Sequence, residues 1–207
     1  MSDATALRAE LIRAAAHFYG NGWMVGTAGN LSARADAESF WVTASGKAKG
    51  SLQQDDFVRV RLDGHVLERA TEQHKPSAET TLHQVIYRTF PKVGAIYHVH
   101  SVEANVVSAM AVGDRIELPP LEMLKGFGVM DEHPRETIPL LLNHADVPRI
   151  SRELETILLE SPPRVPAALI KHHGITVWGP NQQAVFNYVE LIEFIFRFMV
   201  VRATVER

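Results

Sequence analysis

The sequence predicts an α/β fold in one domain spanning residues 1–207, and three observations carry that expectation. Segments whose apolar residues recur with helical period interleave with short segments of strand period or continuous apolar character. A length of 207 residues suits one large domain or two small ones and can bury about 70% of the unfolded surface. No internal repeat, low-complexity tract or linker divides the chain.

The elements follow in order. Leu7, Leu11, Ala14, Ala15 and Phe18 share one helix face, and Gly20, Asn21 and Gly22 stop the helix. Short strands follow up to residue 68. FWVTAS (40–45) is one, and FVRVRL (57–62) alternates with period two before Asp63-Gly64 turns it into HVLE as a hairpin. Ser77, after Lys75-Pro76, is placed to cap a helix that buries Leu82, Val85, Ile86 and Phe90. VGAIYHVH (93–100) reads as a buried strand entering a helix through Ser101 to Met110. Residues 115–143 read as irregular strands around Pro119-Pro120 and Pro139. A helix over 151–160 ends at Pro162-Pro163, and 166–179 form a strand pair or a strand running into a turn at Gly174. The last helix starts near Asn181 and is apolar over so wide an arc, through Val200, that burial on two sides, as at a subunit contact, is expected.

Composition excludes several classes of function. With no cysteine there can be no disulfide, thiolate zinc site, iron–sulfur cluster or cysteine nucleophile, so imidazole and carboxylate must hold any transition metal. A net charge of −3 and the absence of a basic run argue against a nucleic-acid partner. No apolar run approaches the ~20 residues that span a bilayer, and acids and arginines interrupt the first apolar stretch, unlike a signal peptide. A cytoplasmic protein is expected.

Ten histidines remain as the chemical resource. His98-Val99-His100 places two imidazoles on one face of a strand at its end, able to converge on one metal ion. Lys171-His172-His173-Gly174 brings a second pair, of which only one member can face the same site if both lie in a strand. Three histidines with an open position describe a catalytic zinc site rather than a closed structural one. The other six, at 17, 65, 74, 83, 133 and 144, have no partner at ligand spacing. Gly26-Thr27-Ala28-Gly29-Asn30 and Thr43-Ala44-Ser45-Gly46-Lys47 are glycine-containing polar turns that can present N–H groups and hydroxyls to a phosphate, although neither is a Walker loop. Lys75-Pro76-Ser77-Ala78-Glu79 adds a hydroxyl and an acid at a helix start.

Taken together and in this order, GTAGNLS, TASGK, KPSAE, HVHS and KHHGITVWG resemble the signature of the class II aldolase and epimerase family. The resemblance covers about residues 22–180. It implies a three-layer α/β/α sandwich with a mixed central sheet, a sugar-phosphate substrate and one histidine-bound Zn2+ per subunit, in cyclic tetramers. It implies His98, His100 and His173 as metal ligands and Thr27, Asn30, Ser45, Gly46 and Ser77 as phosphate-binding residues. LEMLKGFG (121–128), with Glu122 and Lys125, and the VWG after the third histidine resemble a narrower, dehydratase branch of the family. In that branch the acid/base falls on Glu122; in the aldolase branch it falls on Glu79, and this chain has both. Glu122 is the preferred choice, and its double duty as base and acid leads to an expectation that burial raises its pKa. An aldol cleavage or epimerisation with Glu79 is the alternative reaction, and a non-catalytic zinc-binding module the alternative class.

Overall fold

The structure, a computed structural model, describes residues 3–206. Asp3 caps the first helix, its carboxylate accepting from Thr5 N–H at 2.9 Å, and α1 runs Ala4–Gly20. The strands are β1 (Asn30–Arg34), β2 (Ser39–Thr43), β3 (Phe57–Arg61), β4 (Val66–Glu68), β5 (Ala95–Val99), β6 (Arg115–Glu117), β7 (Thr137–Leu141), β8 (Ala167–Ile170) and β9 (Gly174–Gly179). They form one sheet in the order β4-β3-β2-β1-β5-β9-β8-β7-β6. The pairings are antiparallel except β7 with β8, so the sheet is mixed.

Helices α2 (Thr80–Thr89), α3 (Val102–Met110), α4 (Val147–Glu160) and α5 (Gln182–Val205) complete the layers. Leu31, Ala33, Tyr97, Val99, Ile175 and Val177 bury one sheet face against α1, α3 and α5. The alternate residues Ile96, Ala168, Ile170 and Trp178 pack with α2 and α4 on the other face. The expected α/β/α sandwich is therefore present. No helix among the described residues is long and apolar enough to cross a membrane.

Several boundaries differ from the sequence reading. Glu79, not Ser77, occupies the residue before α2, because 77–79 first form a turn in which Thr80 N–H donates to Ser77 O at 3.0 Å. Helix α4 starts at Val147, one turn before 151, with Pro148 in the first turn where a missing N–H costs nothing. Lys171–His173 form a tight turn, and Gly174 opens β9 rather than turning the chain. Ser101 caps α3, its Oγ accepting from Ala104 N–H at 2.9 Å, which starts a helix directly after His100.

Candidate metal centre

His98 lies opposite Thr176 of β9 and Asn30 of β1, on the sheet face that packs against α2, and is 1% exposed. His100 sits just beyond the strand, where its backbone N–H donates to Trp23 O at 2.7 Å. His173 comes from the β8–β9 turn. In that turn His172 adopts a left-handed φ of 53°, and α3 holds both neighbours: His172 N–H donates to Ser108 Oγ at 2.9 Å and Asn105 Nδ2 to His173 O at 3.0 Å. The turn, rather than strand alternation, thus separates the adjacent pair. Gly174 is required there, since a Cβ would overlap the Val99 carbonyl oxygen.

The three imidazoles converge. Nε2 of His98 lies 2.8 Å from Nε2 of His100 and 3.5 Å from Nε2 of His173. Glu79 joins from the start of α2, its Oε1 lying 2.6 Å from His173 Nε2 and 3.5 Å from His98 Nε2. Each of these four residues offers a donor atom within 4.8 Å of the others'. Three ring nitrogens facing one another fit a shared cation: a tetrahedral ion with ~2.0–2.1 Å bonds needs donor separations of ~3.3 Å. His98 Nδ1 is 2.9 Å from Thr176 Oγ1, a contact that suits an N–H donated to the hydroxyl and leaves Nε2 as a lone pair. Burial, with repulsion from His98 and His173, pushes His100 down to about 3, so it is neutral and able to ligate. Burial alone would raise the Glu79 carboxyl; its neighbours His98 and His173 outweigh that and hold the group well below the usual carboxylate range.

The polar turns connect to this group through Asn30 and Glu79. Asn30 Nδ2 donates to Glu79 Oε2, so its amide orients the carboxylate. Ser45 and Gly46 are exposed in the turn after β2, Thr27 is exposed in the loop before β1, and Ser77 is half-buried. Ser45 N–H donates to Lys75 O at 2.8 Å, and Ala44 bridges Pro76, which joins the TASGK and KPSAE segments. Lys49 and Thr176, which the sequence reading did not single out, take part in holding the site. Thr176 lies within a recognised motif and Lys49 two residues beyond one, but only burial and partners show their part.

Glu122 is placed differently from the expectation. It opens a 3-10 helix, Glu122–Phe127, whose buried residue is Leu124. Three residues per turn stack Glu122 and Lys125 on the solvent side, 3.0 Å apart, with side chains 77% and 53% exposed. Within one chain it is neither buried nor part of the histidine group. Of the other six histidines, none joins the group among the described residues. His83 is fully buried on α2, its Nδ1 2.7 Å from Ser32 Oγ, and burial pushes it down to about 3.

The family model described as Class II Aldolase and Adducin N-terminal domain matches residues 9–200. The chain belongs to this family. Among class II aldolase relatives, the methylthioribulose-1-phosphate dehydratase of Microcystis aeruginosa is 55% identical over 193 residues, covering 93% of this chain and 94% of that protein. The protein of the same name from Pseudomonas aeruginosa is 38% identical, covering 92% and 91%. The crystal structure of L-fuculose-1-phosphate aldolase from Thermus thermophilus superposes with a TM-score of 0.76 at 21% identity, covering 99% of this chain and 98% of that one. That likeness shows the class II aldolase fold.

Proposed function

We propose that this protein is a cytoplasmic methylthioribulose-1-phosphate dehydratase of methionine salvage, a lyase that converts 5-methylthioribulose 1-phosphate to 5-methylthio-2,3-diketopentyl 1-phosphate and water. The observation that carries the reading is the convergence of His98, His100, His173 and Glu79 in a chain 55% identical, almost end to end, to a protein of that name. His98, His100 and His173 would hold one Zn2+ per subunit. Neutral imidazoles would leave the ion its full positive charge for Lewis-acid polarisation of the keto sugar's oxygens.

The chain's own residues account for the remaining requirements. Thr176 fixes the His98 ring, and Asn30 fixes the Glu79 carboxylate. Thr27, Ser45, Gly46 and Ser77, with Asn30 at the loop end, form the phosphate cradle, which turns binding of the remote phosphate into orientation at C3 and C4. Glu122 removes the proton from C3 and returns it to the C4 hydroxyl as that group leaves as water, so one carboxyl group is base and then acid. Because Glu122 and Lys125 stand on the outside of a single chain, this assignment places them at the site of a neighbouring copy, in a homotetramer. The exposed Phe194, Phe198, Val201 and Val205 along α5 give such an assembly an apolar face to cover.

The position of Glu79 against the histidines favours one second reading, aldol cleavage of a sugar phosphate with Glu79 as acid/base. Incubating the zinc-loaded protein with 5-methylthioribulose 1-phosphate separates the two. Diketone formation with loss of water is expected; a three-carbon phosphate product establishes cleavage instead, and zinc binding without turnover of either kind favours a non-catalytic module.

A further inference from the structure

One buried cation ties together the loops around the histidines. Lys49 is 2% exposed. Its Nζ donates to the carbonyl oxygens of Thr27 at 2.8 Å and Lys47 at 2.9 Å, and its backbone N–H donates to Gly26 O at 3.1 Å. A single residue therefore joins the Gly26–Asn30 loop to the Ser45–Lys47 turn. An ammonium has three N–H donors, and these contacts use two of them.

The anions nearest this cation are engaged elsewhere. Asp56 pairs with Lys47 Nζ at 2.7 Å, and Glu79 lies against His173 and His98. Both carboxylates act on Lys49 through space, and the Lys49 charge is felt at His100. Burial outweighs that attraction and pulls the ammonium down to about 8. A buried cation whose hydrogen bonds go to carbonyls, with no contacting anion among the described residues, is costly to maintain and is well suited to an anionic ligand. The loop that begins at the carbonyls bound by Lys49 ends at Asn30, whose amide donates to Glu79. Lys49 thus holds one part of the loop whose other end, at Asn30, orients the Glu79 carboxylate.

We propose that Lys49 is a positioning residue for the phosphate end of the substrate, fixing the spacing of the two loops and supplying the positive charge that a phosphate dianion between them neutralises. The inference rests on the sugar-phosphate reading above.

The test compares the zinc-loaded wild type with K49R, which keeps the charge, and K49Q, which keeps a donor without it. Inorganic phosphate is titrated calorimetrically, and kcat and KM are measured with 5-methylthioribulose 1-phosphate. In K49Q, phosphate affinity is expected to fall about tenfold or more, with KM rising in parallel and kcat little changed. K49R is expected to recover most of both. A K49Q protein that binds phosphate and substrate like the wild type overturns the proposal. So does a folded, zinc-containing K49R no better than K49Q, and K49R alone decides the matter if K49Q does not fold. Phosphate titration needs no turnover, so Lys49-dependent phosphate binding without dehydration sinks the dehydratase reading and leaves this one standing.

Discussion

Two segments of this chain, KPSAE and LEMLKGFG, carry glutamates with similar surroundings in sequence and opposite surroundings in space. Glu79 lies at the start of α2, against two imidazoles and the Asn30 amide. Glu122 lies on a 3-10 helix in solvent, with Lys125 as its partner. A lysine close by and a helix start are common to both, so local sequence does not distinguish them. What separates them is tertiary: the β1–β5–β9 strands bring Asn30, His98 and Thr176 beneath the first glutamate, whereas the second is 77% exposed. Under the proposed reading the two carboxylates have different duties, Glu79 holding the metal site and Glu122 completing that of a neighbouring copy.

The largest expected effect tests that division. If Glu122 is the proton carrier proposed above, Glu122→Gln is expected to lower kcat by about 10³-fold while leaving zinc content intact, since it removes no ligand. Glu79→Gln is expected to weaken zinc retention as well as turnover. Mixed oligomers of Glu122→Gln and His98→Ala chains then regain part of the activity, because one chain supplies the metal and the other the acid/base. Kinetics on the mixed sample, with no recovery beside an inactive Glu122→Gln parent, would place Glu122 in its own chain's site. Wild-type turnover by Glu122→Gln would remove it from the chemistry altogether.

A smaller effect belongs to the support beneath the histidines. Thr176→Val retains the shape of β9 but removes the oxygen 2.9 Å from His98 Nδ1, and zinc affinity is expected to fall about 10–100-fold. Equilibrium dialysis checks this, with Glu122→Gln as the variant that does not move.

The smallest effect concerns stability at a buried acid outside both segments. Burial pushes Glu193 of α5 up to about 8 from 4.5, with Ser101 opposing and Glu103 adding to the rise. A carboxyl with a raised folded pKa binds more protons folded than unfolded, so its contribution is full below pH ~4.5 and is lost as pH rises toward ~8. Glu193→Gln is therefore expected to flatten this decline and to raise Tm by roughly 5 °C at pH 8 and above. An unchanged Tm profile between pH 5 and 9 would show that Glu193 carries its charge at no cost.

Much of this arrangement was legible in the sequence, for identifiable physical reasons. Period-two alternation and Asp63-Gly64 placed the β3–β4 hairpin, and His98-Val99-His100 at a strand end predicted two imidazoles on one side. Helix starts were less legible: a proline in the first turn hid the start of α4, and a turn at 77–79 displaced the cap of α2. The roles of Lys49 and Thr176 depend on burial and on partners far away in the chain, which no local pattern encodes. The exposure of Glu122 ran against the expectation of a raised pKa through burial, because acid/base duty was assigned from resemblance while burial depends on what packs over a 3-10 helix.

The proposed activity depends on a metal held by His98, His100 and His173. X-ray absorption at the zinc edge, combined with metal counting on wild type and His98→Ala, tests it most directly. One zinc per wild-type chain is expected, with imidazole nitrogens at ~2.0–2.1 Å and loss of that zinc in His98→Ala. Stoichiometric zinc that persists in His98→Ala, or a zinc shell without imidazole, would contradict it.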